Sequence, residues 1–291
     1  LLGDESGYEL GDVQKTKLAA IEAEWDTHPA PAAFTLFGIP NEETQTTDYA
    51  VKIPYAMGLI ATRSTTEEVT GIKDLITQHE QRIRNGMVSY AQLEQLRAGD
   101  KSPELLAAFE ASQKDLGYGL LLKKYTPNVV DATEEQIKSA AADTIPHVPS
   151  LFWAFRAMVG SGFLMLVLFA LATFAVLKRN LESKPWLLKF ALISLPLPWV
   201  AAQTGWYVAE VGRQPWTIGE VLPTYLSASS ISSADVWGSI IALASFYTVL
   251  LIIEMYLMIK FSRLGPSSLH TGKYHFEKLE AAKKANEESQ A

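Results

Sequence analysis

The apolar positions of this 291-residue chain fall into two regimes that change near residue 149. Beyond it lie three long hydrophobic runs, Leu151–Leu177, Trp186–Val208 and Val236–Ile259. Each is long enough for a hydrocarbon core of about 30 Å, which needs roughly 20 helical residues. The first run holds one internal charge, Arg156, and Lys189 sits close enough to the start of the second to snorkel. Pro196 and Pro198 predict a kink in that second run, freeing carbonyls for neighbours to satisfy. Before residue 149 the apolar residues are interleaved with charge. Leu18, Ile21 and Trp25 make a helical stripe within Leu10–Trp25, and Ile72–Leu96 reads as a solvated helix with a break at Gly86. Ser102-Pro103 starts a helix expected to run to about Gly117, and the TEEQ of Thr133–Gln136 has capping-box spacing. Pro29–Pro40 reads as loop, while Val51–Ile60, interrupted by Pro54, is left open in type.

These patterns predict an all-α membrane protein: three transmembrane helices plus a large, mostly helical extracytoplasmic loop region. The divisions expected are 1–148 for the loop region, 149–262 for the membrane part and 263–291 for a cytoplasmic tail. Charge supports the split. Residues 1–148 carry 23 acidic and 13 basic side chains, residues 149–291 carry 9 and 12. The acidic first half and net charge of −7 argue against nucleic acid as a partner. Absence of cysteine excludes disulfides, thiolate ligands and cysteine nucleophiles. Lys178, Arg179 and Lys184 fill the connector between the first two runs, and Lys260, Arg263, Lys273 and Lys278 follow the third; the 211–235 connector has only Arg213. The positive-inside rule then puts residues 1–148 outside and the C-terminus in the cytoplasm. The chain starts at Leu1 in mid-phrase, which reads as a piece of a longer polypeptide.

One stretch concentrates the candidate chemistry. In Gly205–Trp216, GWYVAEVGRQPW, Glu210 ends an otherwise apolar span, with Trp206 four residues before and Arg213 three after, so all three share a helical face. An ionisable group in a span is a functional-site hypothesis, set against the plainer reading of a paired or snorkelling side chain. Met158, in AFRAMVG, is on the plain reading a packing thioether, but Arg156 lies two residues away. Met158 is about 10 Å into the first span at roughly 1.5 Å per residue, and Glu210 ends a span running back outward, so both are expected near the outer side. Glu254 in the third run reads as structural, close to Lys260. His28, His79, His147, His270 and His275 all fall outside the spans.

GWYVAEVGRQPW, AFRAMV and the opening GDESGYELGDVQKTKLAAIEAEW resemble subunit I of the cytochrome bd quinol oxidases, and the likeness runs from Leu1 to about Phe276. The resemblance implies that Met158 is an axial ligand of low-spin haem b, with Arg156 as its electrostatic partner. It implies that Glu210 ligates a high-spin haem, haem b or haem d, with Trp206 between haems and Arg213 steadying propionates. Lys17 and Glu22 match residues that support quinol oxidation, and Asp4, Tyr8 and Arg63 lie near that pocket. A quinol that loses electrons must also lose two protons, so a carboxylate base and a cation suit the task. Five residues apart is about 140° around a helix, so Lys17 and Glu22 do not share one face. The family reading brings further expectations: O₂ reduced to water, a proton gradient, a bacterial inner membrane, and, as partners, an N-terminal half carrying the haem histidines, subunit II and small single-span subunits. The other classes open to the sequence are a haem-free membrane receptor or scaffold with an acidic ectodomain, and an ion transporter relaying through Glu210 and Glu254.

Overall fold

The computed structural model describes residues 11, 13–27, 29, 33–55, 68–181 and 183–264. It has two compact units, Leu1–Ala228 and Ser229–Ala291. In chain order the first unit contains α1 (Lys15–Glu22), β1 (Phe34–Asn41), β2 (Thr46–Ile53), α2 (Ile72–Arg97), α3 (Pro103–Ser112), α4 (Leu116–Leu120), α5 (Glu134–Ala142), α6 (Val148–Leu177), α7 (Pro185–Ile193), α8 (Leu197–Val211), β3 (Trp216–Ile218) and β4 (Leu222–Pro223). The second contains α9 (Ser233–Leu264).

Among the described residues three stretches are long and apolar enough to cross a membrane: Val148–Leu177, Pro185–Val211 and Ser233–Arg263. The protein is an all-α membrane protein; among the described residues the strands form two small hairpins. The second span is interrupted at residues 194–196. Pro196 caps α8 and Pro198 lies in its first turn, where a missing N–H costs nothing. Large side chains such as Phe163, Leu166, Phe169 and Trp199 face outward, as expected where lipid or other helices replace water. At α9, the Ser232 hydroxyl accepts the Asp235 N–H at 3.3 Å and so caps the helix.

Two features of the loop region depart from the sequence reading. Pro29–Pro40 is not all loop: from Phe34 it is a strand, paired antiparallel with β2. Asn41 makes the turn, its side-chain oxygen accepting from the N–H groups of Glu43 at 2.9 Å and Thr44 at 3.2 Å. Pro40 is tolerated because a two-stranded hairpin has only edge strands. The second departure is Gly86, which does not break α2. A Cβ there would lie 2.3 Å from the Gly119 nitrogen and 2.4 Å from the Asp115 carbonyl, so the glycine lets α2 and α4 touch backbone to backbone. The helix beginning at Pro103 ends at Ser112 and continues as a 3₁₀ turn into α4, earlier than the pattern suggested. The expected capping box is present: Thr133 and Gln136 each satisfy the other's backbone N–H.

The core has two main centres. One joins α1 to the spans through Ala20, Ile21, Ile72, Leu151, Phe152 and Val208. The other fills the loop region around Ile83, Tyr118, Leu122, Ile137 and Trp216. We expect Gly86→Ala to destabilise the protein by about 1–3 kcal/mol, because the obstructing atoms are backbone and cannot rotate away. A thermal-unfolding shift of the purified protein measures it, and an unchanged transition would contradict the close approach.

Candidate functional site

The first half of the site is a buried guanidinium. Arg156, on the third turn of α6, donates from Nε to the Leu36 carbonyl at 3.2 Å. Its Nη1 reaches the carbonyls of Ile21 at 2.9 Å and Phe152 at 3.0 Å. Its Nη2 reaches the Glu22 carboxylate at 3.0 Å and also the Thr35 carbonyl. All five N–H donors of an arginine are thereby engaged, and the guanidinium carbon lies 3.3 Å from the Phe152 ring centroid. Arg156, expected as the electrostatic partner of Met158, has all its donors on protein groups.

Its charged partner, Glu22, is 3% exposed. Glu22 ends α1, where Ala23 turns left-handed at φ 52° and the Ile21 carbonyl would otherwise be without a helical partner. Arg156 satisfies that carbonyl and places a cation at a helix C-terminus, a favourable position. Burial raises the Glu22 carboxyl to about 7 although Arg156 pulls it down.

Lys17 lies on another side of α1, as the 140° spacing anticipates. Its stem crosses Gly212, where a Cβ would stand 3.0 Å from both Lys17 Cγ and Cε. Burial lowers the Lys17 amine, Arg213 adds to the effect and Glu210 opposes it. Lys17 lines a cleft of about 680 Å³ with His79, Arg82, Tyr118, Arg213 and Glu220, and Glu22 is not among its walls.

The α6–α8 pair carries the second half. A Cβ on Gly205 would meet the Met158 sulfur at 3.0 Å, so the glycine makes room for the thioether. Val208 packs in the cluster of Leu151 and Phe152, which brings Met158 and Glu210 to the same end of the pair. Glu210 forms an ion pair with Arg213 one turn on, and the carboxylate side chain is still 38% exposed. Trp206 is 63% exposed, so the face predicted for Trp206, Glu210 and Arg213 is an open one. A soft thioether and an accessible carboxylate are side chains that could each hold a haem iron. Among the described residues no group of three His, Cys, Asp or Glu side chains is placed to hold a metal ion.

Other sequence candidates fall elsewhere. Asp4, Tyr8, Arg63, His28, His270 and His275 lie outside the described residues. His147 caps α6, its Nδ1 accepting the Ser150 N–H at 3.3 Å. Glu254 and Lys260 lie on α9, with the Lys260 amine 5.9 Å from the Tyr256 ring. Sequence reasoning missed a polar cluster on the cleft wall. Arg82 grips Glu220 through Nη1 at 2.7 Å and Nη2 at 2.9 Å, and Asp115 through Nε at 2.8 Å. His79, hydrogen-bonded to Thr144 at 2.7 Å, is lowered to about 4 by burial and by Arg82, so it is neutral at physiological pH. No sequence pattern links residues 138 positions apart, as Arg82 and Glu220 are.

The fold and site together define a multi-pass membrane protein with ligand-capable side chains at one end of a helix pair and a buried Arg–Glu pair beside them. Residues 1–266 match the family model described as cytochrome bd terminal oxidase subunit I, and the chain belongs to that family. It is 41% identical over 270 residues to cytochrome bd-II ubiquinol oxidase subunit 1 of Escherichia coli (strain K12), covering 93% of this chain and 52% of that protein. It is 25% identical over 266 residues to cytochrome bd ubiquinol oxidase subunit 1 of Bacillus subtilis (strain 168), covering 91% and 45%. The chain thus spans about half the length of the curated relatives it matches.

Arg156→Met should cost about 3–5 kcal/mol, since it leaves the Glu22 charge buried without a partner. Adding Glu22→Gln should restore part of that loss. Thermal unfolding of the two variants checks it, and equal stability of the single and double variants would contradict the pair's importance.

Proposed function

We propose that the chain forms the quinol-oxidising and part of the haem-binding portion of a respiratory terminal oxidase, which takes electrons from quinol at the outer face and reduces O₂ to water. The observation that carries this reading is the buried Glu22–Arg156 pair in a member of this family. A carboxyl held near 7 is matched to taking a proton from a quinol hydroxyl at neutral pH. Arg156 orients that carboxylate and fixes α1 against α6, while β1 contributes two carbonyls to the same guanidinium. Lys17, on the cleft side, supplies positive charge for an oxygen that becomes more negative as its proton leaves. Each quinol loses two electrons and two protons and leaves as quinone.

Met158 is the proposed axial donor to low-spin haem b, and Glu210 the donor to a high-spin haem, b or d. These groups supply the one-electron steps between a two-electron donor and O₂. Trp206, exposed on the same face as Glu210, is the proposed contact between haems, and Arg213 the cation for propionate charge. Arg156 acts on Glu22 in this scheme, since its donors are engaged there. The remaining haem ligands would come from the proposed N-terminal half of subunit I, with subunit II and small single-span subunits completing the complex. The proposed setting is a bacterial inner membrane, with residues 1–148 extracytoplasmic, the C-terminus cytoplasmic and net transfer of protons outward. Family membership leaves the haem-free receptor and the ion transporter without support.

Met158→Leu should abolish the low-spin haem b band in a reduced-minus-oxidised visible spectrum of the purified complex. Persistence of that band would remove Met158 as ligand. Glu22 accepts a proton only when ionised, so quinol oxidation should rise as pH climbs through about 7. Glu22→Gln should lower turnover by roughly 100-fold or more and flatten that limb. A variant that keeps the wild-type pH profile would assign the limb to another group.

A further inference from the structure

The connector after Glu210 is fastened to the loop region at several independent points. Arg82 of α2 holds both oxygens of Glu220, at 2.7 and 2.9 Å. Tyr118 of α4 accepts from Arg82 at 3.2 Å and donates to Glu220 at 3.1 Å, with its ring 4.1 Å beneath the guanidinium carbon. Asp115 fixes the third edge of Arg82 and is itself held by Asn85 at 3.2 Å. Burial works against the Glu220 charge, yet Arg82 and Tyr118 outweigh it and hold the carboxyl below its usual range. The backbone is equally close. A Cβ on Gly117 would sit 2.0 Å from the Glu220 carbonyl oxygen, and Glu220 adopts a left-handed φ of 60°. Further along, the Tyr225 hydroxyl donates to the carbonyls of Leu120 at 2.6 Å and Leu121 at 2.8 Å.

This anchorage leads back to α8 through two hydrogen bonds. Thr224 donates to the Gln214 side chain at 2.9 Å, and Gln214 donates to the Glu210 carbonyl at 3.2 Å. Arg82 and Glu220 therefore lie outside the spans yet are mechanically joined to the last turn of α8. Bidentate Arg–carboxylate contacts fix direction as well as distance, and a ligating side chain must be held to within about half an ångström to act alike in every molecule.

We propose that Arg82 and Glu220 are positioning residues for Glu210: their clamp, closed by Tyr118, sets the last turn of α8 and so tunes the group bound there. The inference rests on the reading of Glu210 as a haem ligand.

The test is a spectroelectrochemical titration of the whole complex in four forms: wild type, Glu220→Gln, Tyr118→Phe and Glu210→Gln. We expect Glu220→Gln to move the midpoint potential and visible band of the high-spin haem at Glu210, leaving the low-spin haem unchanged. Tyr118→Phe, which keeps the ring and removes only the hydroxyl, should give a smaller shift in the same direction. Amide hydrogen exchange at residues 211–213 should be about tenfold faster in Glu220→Gln. If Glu210→Gln removes the high-spin signal while Glu220→Gln and Tyr118→Phe leave it in place, the clamp has no tuning role. Equal disturbance of both haems in both clamp variants would make it a general scaffold and overturn the inference. If Glu210→Gln leaves the high-spin haem intact, the ligand reading itself falls, and the inference with it.

Discussion

The structure depends on one guanidinium kept away from water. Arg156 has five donors, and each finds an acceptor: one in its own helix, two in β1 and two at the end of α1. An arginine in an apolar span is costly unless every donor is satisfied and its charge is balanced. That requirement gathers three segments around one point and leaves Glu22 in a place no isolated helix would choose for it. The burial that this packing imposes raises the Glu22 carboxyl to about 7, and Arg156 opposes that rise.

Around that point the protein divides its labour between glycine and charge. Gly205 gives Met158 its place, Gly212 gives Lys17 its path, and the Gly86–Gly119 pair lets two helices meet without side chains between them. At Gly205 and Gly212 the missing Cβ makes room for a longer side chain, and at Gly86 and Gly119 it makes room for backbone. The charges then fix directions: Arg156 onto Glu22, Arg82 onto Glu220, Arg213 onto Glu210. Close approach sets the distances and the ion pairs set the orientations.

Much of this was legible in the sequence, for reasons that differ by element. The three spans are written in local composition, and the capping box at Thr133 in four adjacent residues, so both appeared where expected. The spacing of Trp206 and Glu210 follows the helix, and Arg213 pairs with Glu210 from the turn just past the end of α8. The β1–β2 hairpin was hidden because prolines and alanines precede Phe34 and pairing with Thr46–Ile53 is not a local property. Gly86 suggested a break because glycine is a poor helix former; only its partner Gly119 shows why it is there. The Arg82–Glu220 contact has no sequence signal at all, and Arg156 could be seen as a buried cation but not assigned to its acceptors.

The order of residues along the chain gives the Arg156 contacts a further meaning. Every acceptor, from Ile21 and Glu22 through Thr35 and Leu36 to Phe152, precedes the arginine. A ribosome therefore completes the receiving groups before it makes the donor. An arginine at the centre of an inserting helix carries a penalty of roughly 2.5–3.5 kcal/mol on biological insertion scales, and Arg156, on the third turn, meets a smaller one of the same kind. Here the groups that relieve that penalty are already synthesised when the segment reaches the membrane, so biogenesis of the first span is linked to the prior emergence of the region it will hold.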